Sequence, residues 1–192
     1  MAEIKPFAPV KLVCGIIAAR EDQFARAEER LAAAYGPVDD RSPRLSFPGT
    51  AYYAPHMGID LRRGFLSFEA LIEPTKLPDI KVETNALEAE LAADFGTKVR
   101  VVNLDPGYLT SAALIMATAK DFSHRVPLGQ GIYAHLEFLF AKDGIRVLEW
   151  TYPDFRGEGY WEFFLRVRRT YLLRLRIAAR PLSGPGAPPA GG

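Results

Sequence analysis

The sequence predicts an α+β fold. Strand-like apolar runs alternate with amphipathic helical segments in the order β-α-β-β-α-β over residues 11–105, and a further hairpin follows. Three observations carry this. Leu12-Val13-Cys14-Gly15-Ile16-Ile17-Ala18-Ala19 is almost continuously apolar, as befits a central strand buried on both faces. Phe24, Ala27, Leu31, Ala34 and Tyr35 recur at helical spacing, with Arg26, Glu29 and Arg30 on the other side. Lys142-Asp143-Gly144 separates two strand-like runs, and Asp-Gly is a strong hairpin signal.

The elements follow in order. Gly36-Pro37 stops the first helix. Leu45 and Phe47 alternate with polar neighbours, and Gly64 to Leu71 reads as a strand, so an antiparallel pair is expected here. Asn85 with Glu88 resembles a capping box, Leu87, Leu91 and Phe95 make an i, i+4 stripe, and Gly96 ends it, which places a second helix from about residue 85. Val99 to Asp105 returns to strand periodicity and stops at Pro106-Gly107. This order is the split βαβ arrangement of ferredoxin-like folds, with both helices on one face of an antiparallel sheet. A short helix is expected over Leu109 to Ala119, the hairpin over Gly131 to Phe140 and Ile145 to Trp150, and a final helix over Glu158 to Ala179. Residues 1–180 are read as one domain, and the Pro/Gly/Ala segment 181–192 as a disordered tail.

Composition narrows the function classes. The chain has 192 residues, 48% hydrophobic, enough for one sizeable core. Lys plus Arg number 24 and Asp plus Glu 23, so a globally basic nucleic-acid coat and an acidic tail are both excluded. The lone cysteine, Cys14, allows no internal disulfide and no multi-cysteine zinc site, and it sits in an apolar run, so a reducing cytoplasm is the expected location. No apolar stretch approaches the roughly 18–20 residues of a membrane helix.

Four uncommon strings occur in a fixed order: Asn103-Leu-Asp-Pro-Gly-Tyr-Leu-Thr110, Ala117-Thr-Ala-Lys-Asp-Phe-Ser-His-Arg125, Gly131-Ile-Tyr-Ala134 and Trp150-Thr-Tyr-Pro-Asp-Phe155. With them the chain resembles the bacterial DUF4416 family from about Val10 to about Tyr171. That family is one of unknown function, so the resemblance implies no catalytic residues. Some members carry a GTP-binding label, but this chain has no Gly-x4-Gly-Lys-Ser/Thr loop to cradle phosphates.

Candidate chemistry lies in four places. Asn103 and Asp105 put hydrogen-bonding groups on one side of an otherwise apolar strand, as at a pocket rim; Asp105-Pro106-Gly107 is equally ordinary turn chemistry, and Tyr108 follows it. Tyr133, His135 and Glu137 share one side of the next strand, opposite Ile132, Ala134, Leu136, Phe138 and Phe140. That row supplies acid–base groups or two metal ligands, or is simply a wetted outer face. No complete metal site is assigned. Lys120, His124 and Arg125 lie in what reads as a helix-to-strand connection, where they could hold a phosphate or carboxylate, or cap the helix. Tyr152 and Asp154, in the aromatic string before the last helix, suit ring stacking and hydrogen bonding, or a packed corner.

The expectation from these groups is a polar pocket binding a small anionic or nucleotide-like ligand, with Asn103, Asp105, Tyr108, Lys120, Arg125, Tyr133, Glu137, Tyr152 and Asp154 as ligand contacts. His124 and His135 are the candidate proton-transfer groups. No motif names a cofactor. The alternative is an RNA- or acidic-protein-binding module built on the last helix, where Arg166, Arg168, Arg169, Arg174, Arg176 and Arg180 occur with no acid between Phe163 and Arg180.

Overall fold

The computed structural model describes residues 3–47 and 53–178. In chain order its elements are β1 (Val10–Ala18), α1 (Glu21–Tyr35), β2 (Val38–Arg41), β3 (Leu45–Ser46), α2 (Ala54–Met57), β4 (Arg62–Ile72), α3 (Leu77–Asp94), β5 (Val102–Leu109), β6 (Ala113–Thr118), β7 (Val126–Gly129), β8 (Ile132–Ala141), β9 (Gly144–Val147) and α4 (Trp161–Ala178). Short 3-10 turns cover Pro153–Phe155 and Glu158–Tyr160 before α4. The strands form one sheet in the order β2-β4-β1-β5-β6-β8-β7, with β3 also on β4 and β9 also on β8. Every pairing is antiparallel. The proposed tail, 181–192, lies outside the described residues.

β1 is central, as its apolar run requires. All nine of its residues are buried, and it pairs with β4 on one side and β5 on the other. Leu12, Cys14, Ile16 and Ala18 face Phe24, Ala27 and Leu31 of α1 and Ile80 and Leu91 of α3, so both helices cover one face of the sheet. Val13 on the opposite face joins Phe65, Phe138, Phe155, Phe163, Phe164 and Val167, a second core under α4. Among the described residues, no helix is long and apolar enough to cross a membrane.

Three expectations are corrected. The segment Leu109 to Ala119 is not a helix: it ends β5 and forms β6, whose backbone is satisfied by β5 and β8, and this pairing overrides the helical preference of its Ala, Leu and Met. Lys120, His124 and Arg125 therefore lie between two strands. The second helix begins at Leu77, not near residue 85, because its buried positions include Lys81, Thr84 and Glu88, which break the apolar stripe. Glu88 caps nothing; its Oε1 accepts the Leu104 N–H at 2.7 Å, tying α3 to β5. The last helix starts at Trp161 after the Glu158–Tyr160 turn.

A fourth correction concerns β8. The strand does not keep one apolar face throughout: Ile132 packs with Leu77 and Ala117 on the α3 side, whereas Phe138 belongs to the α4 core. The register with β6 shifts between Leu136, opposite Ile115, and Phe138, opposite Leu114, leaving Glu137 as the extra residue of a bulge. A bulge reverses the facing of every later side chain, so residues of one parity change sides.

The sheet is split near its middle. β5 pairs with β1 over its whole length, but with β6 only at Gly107–Leu109. Pro106 offers no N–H to continue that ladder. At Gly107 the strands come so close that a Cβ would collide with Met116 Sδ and stand 2.5 Å from the Ile115 carbonyl oxygen. Beyond this crossing, Asn103 and Asp105 on β5 and Met116 to Thr118 on β6 line opposite sides of an opening.

Candidate functional site

That opening is a cavity of about 540 Å³. β5 contributes Asn103 and Asp105, α3 contributes Lys81, Asn85 and Glu88, and the β6 end with its following loop contributes Thr118 and Lys120. His135 of β8 and the Tyr152 to Phe155 turn complete the wall, with Phe47, Tyr53 and Arg63.

Arg63 organises the site. Its side chain is 7% exposed and donates from Nη2 to Asp105 Oδ2 at 2.7 Å and from Nη1 to Asp154 Oδ2 at 2.6 Å. The guanidinium also lies 4.8 Å over the Phe47 ring and 5.4 Å over that of Phe155. Burial draws the Asp105 carboxyl upward, but Arg63, and Lys81 with Nζ 3.9 Å away, outweigh it and hold the group below its ordinary value. Lys81 itself donates to the Leu104 carbonyl at 2.7 Å, so a helix side chain and a strand backbone jointly fix the charge. Asn103 Oδ1 accepts from Arg100 at 3.0 Å.

A second group lies at the bulge. Glu137 is fully buried; its Oε1 accepts the Tyr152 N–H at 2.6 Å, and its own carbonyl accepts from Thr151 Oγ1 at 2.5 Å. Burial pushes its carboxyl up to about 8, with the Tyr152 N–H and Arg63 acting in the other direction. His135, 1% exposed, places Nε2 3.1 Å from Glu137 Oε2. Burial first, then the charge of Arg125 and the neighbouring His124, lowers its imidazole to about 4. The ring is clamped by Tyr152, stacked at 5.2 Å, and by the edge of His124 at 4.8 Å. Of the row Tyr133, His135 and Glu137, the last two are thus covered by segment 148–155 and do not form a wetted outer face; Trp150 Nε1 on the Leu136 carbonyl at 2.7 Å anchors the segment further.

His135, Tyr152 and Pro153 also face a smaller recess of about 310 Å³ that holds Phe122, His124, Arg125 and Trp150. His124 stacks on Trp150 at 5.1 Å and 9°. Arg125 donates to the Lys120 carbonyl at 2.6 Å and to the Tyr152 hydroxyl at 2.9 Å, which fastens the β6–β7 connection to the 148–155 segment.

Of the residues singled out in the sequence, Asn103, Asp105, Lys120, His135, Tyr152 and Asp154 line the large cavity, and His124 and Arg125 the recess beside it. Glu137 lies beneath the wall they share. Tyr108 packs instead with Leu77, Ala117 and Ile132, and Tyr133 sits in the ladder between Thr118 and Pro127; neither lines either cavity. Sequence reasoning gave no site role to Arg63, Lys81, Glu88 or Arg100. Their charge inside otherwise apolar or helical runs was the available signal.

Buried side-chain atoms without an aligned hydrogen-bond partner concentrate here. Among the described residues they are Arg63 Nε, Asn103 Nδ2, His124 Nε2, Arg125 Nε, both nitrogens of His135, and Glu137 Oε2. Asn103 Nδ2 interacts with the Asp105 carboxylate without a well-aligned bond. No group of three or more His, Cys, Asp or Glu among the described residues is arranged to hold a metal ion.

The arginine-rich helix is largely engaged with the domain itself. Arg166 bonds Asp40 at 2.8 Å, Arg168 donates to the Ser111 carbonyl at 2.8 Å, and Arg174 reaches the Glu69 carbonyl and Asp39. Arg180 lies outside the described residues.

Neither the curated proteins nor the solved structures contain a match to this chain. A family model described as a domain of unknown function, DUF4416, matches residues 8–171, a span that contains both cavities and every element from β1 onward through most of α4. The chain belongs to the DUF4416 family.

Proposed function

We propose that the protein binds a small anionic or nucleotide-like ligand in the cavity between β5 and β6. One observation carries the reading: a single cavity of about 540 Å³ is lined by polar and cationic side chains, Arg63, Arg100 and Asn103 among them, and walled by the rings of Tyr53, Tyr152 and Phe155. The carboxylates of Asp105 and Asp154 are already paired with Arg63, so their charge is offset where a phosphate or carboxylate would approach this wall. Lys81 and Lys120 add positive charge, and the aromatic rings offer a face to a planar base.

We also infer that residues 10–109 are a ferredoxin-like unit. The strand order β2-β4-β1-β5 and the placement of α1 and α3 on one face support it, and β6 to β9 then extend the β5 edge.

The test is calorimetric titration of the purified chain with adenosine, guanosine and uridine monophosphates, ribose 5-phosphate and citrate. Binding by at least one of these, weakened roughly tenfold in Asn103→Ala through loss of a charge-assisted hydrogen bond, is expected. Failure of all five at millimolar concentration, or binding indifferent to Asn103→Ala, counts against the reading. The RNA-binding alternative draws little support from α4, where three of its arginines are committed within the domain.

A further inference from the structure

The recess beside the large cavity has no part in the reading above. It measures about 310 Å³, its wall includes Phe122, Arg125, Trp150 and Arg156, and it shares Tyr152 and Pro153 with the large cavity of about 540 Å³. Both volumes fall in the range of small-ligand pockets, roughly 300–1,000 Å³. Its rings are open to solvent: Phe122 is 63% exposed, Trp150 37% and Tyr152 38%. We infer that the two openings take one ligand between them, two planar bases joined through phosphate. One base lies in the large cavity, the other against Phe122 and Trp150 in the recess, and the linking phosphate at the Tyr152 boundary. The inference rests on the ligand-binding reading and names its ligand class, a dinucleotide rather than a mononucleotide.

Charge at that boundary suits the phosphate. Lys120 lines the large cavity and Arg125 the recess, and the two are tied together: Arg125 donates from Nη1 to the Lys120 carbonyl at 2.6 Å and from Nη2 to the Tyr152 hydroxyl at 2.9 Å. Arg156 donates from Nε to the Thr151 carbonyl at 2.8 Å and from Nη2 to the Glu149 carbonyl at 2.7 Å. All four acceptors are neutral. Arg63 and Arg100, in contrast, are matched by Asp105, Asp154 and Glu88. The one acid in the recess wall among the described residues is Glu149, against two guanidiniums. A guanidinium held by carbonyls meets an anion without first breaking an ion pair, and its fixed geometry leaves little to order on binding.

The recess rings are placed for stacking on a ligand. His124 lies parallel to Trp150 at 5.1 Å and edge-on to Phe122 at 5.2 Å, and Trp150 Nε1 is held by the Leu136 carbonyl, so the indole plane is fixed. Neither Phe122 nor Trp150 belongs to the cores under α1 and α3 or under α4. A base stacked on such a ring gains roughly five- to a hundredfold in affinity, whatever the base, because every base has a π-face. The large cavity supplies a second set of rings in Tyr53, Tyr152 and Phe155. Two ring sets with cations between them repeat the order base, phosphate, base. A mononucleotide reaches only one of the sets.

Calorimetric and fluorescence titrations of the full-length chain with adenosine monophosphate, adenylyl-3′,5′-adenosine and diadenosine 5′,5′-diphosphate test the inference. The two dinucleotides carry the same rings on different linkages, so the one that gains affinity tells a nucleic-acid link from a pyrophosphate. At least one is expected to bind about tenfold or more tighter than the monophosphate. It should also quench tryptophan emission, and the quench should vanish in Trp150→Phe, where Trp161 alone emits. Phe122→Ala changes an exposed ring outside the cores, and it should weaken the dinucleotide about tenfold while leaving the monophosphate unchanged. Dinucleotides that bind no tighter than the monophosphate overturn the inference, a comparison that needs no variant. A quench that survives Trp150→Phe overturns it as well. Dinucleotide binding weakened by Asn103→Ala but not by Phe122→Ala leaves the large-cavity reading standing and overturns only the two-opening ligand. The reverse pattern puts the ligand in the recess alone and overturns both.

Discussion

Replacing Arg63 by methionine should be among the most damaging single substitutions in this protein. Methionine keeps the length of the buried stem but removes the guanidinium that joins Asp105 at 2.7 Å to Asp154 at 2.6 Å. Those carboxylates are 23% and 13% exposed, too enclosed for water to replace the lost partner. Breaking a buried pair by removing one member costs about 3–5 kcal/mol, because the charge left behind is uncompensated. For a chain of this size that corresponds to a fall in Tm of roughly 6–20 °C. The pH dependence supplies a sharper criterion. In the wild type, Asp105 is held below its ordinary 3.8, so its contribution to stability is present above that value and is lost as pH falls through the lower folded value. In Arg63→Met burial is opposed only by Lys81 and Asn103, the folded carboxyl moves upward, and acid relieves the variant instead of harming it. Urea unfolding of both proteins should therefore show a gap of several kcal/mol at pH 7 that narrows toward pH 4. Adding Asp154→Asn should recover part of the loss. A gap under about 1 kcal/mol that does not change with pH would place the cluster with ordinary surface pairs and refute the reasoning.

Three further outcomes follow from other parts of the fold. Glu137→Gln should flatten the stability profile: the wild-type carboxyl is pushed up to about 8, so from pH 4.5 to 8 the unfolded chain ionises while the folded one does not, and wild-type stability falls over that window. Urea midpoints at pH 5 and 8 check this, and an equal slope in both proteins would contradict it. Gly107→Ala should cost about 1–3 kcal/mol by thermal unfolding, since its Cβ has no room against Met116 and the Ile115 carbonyl; an unchanged Tm would mean that β5 and β6 separate freely. Cys14, fully buried and with its thiol pushed far up by desolvation, should react with a disulfide reagent only at the rate of global unfolding. Prompt labelling of the native chain would show that β1 is not the closed central strand described here.

Much of the first half was legible because its signals are local and redundant. The apolar run of β1, the helical spacing of Phe24, Ala27 and Leu31, and the stop at Gly36, with φ 89°, each point the same way. The hairpin at Asp143-Gly144 was equally plain, since Gly144 takes the positive φ of 135° that the turn demands. β6 was misread because Ala, Leu, Ile and Met suit a helix as well as a buried strand, and only its neighbours β5 and β8 choose between them. The start of α3 was obscured by the buried Lys81, Thr84 and Glu88, which local patterning counts as polar interruptions.

Side-chain chemistry and period along the chain were enough to show which residues could form a core and that Asn103, Asp105, Lys120, His135, Tyr152 and Asp154 were polar groups on strands and loops. Only the tertiary structure decided that β5 and β6 part after Gly107, so that these groups line one cavity, and that Arg63, 42 residues from Asp105 and 91 from Asp154, bridges them. It also decided the bulge at Glu137, which depends on the register between β6 and β8 and has no signature within β8 alone. Contacts between distant strands fix both features, and a pattern read along one chain segment carries no information about the register of its partner.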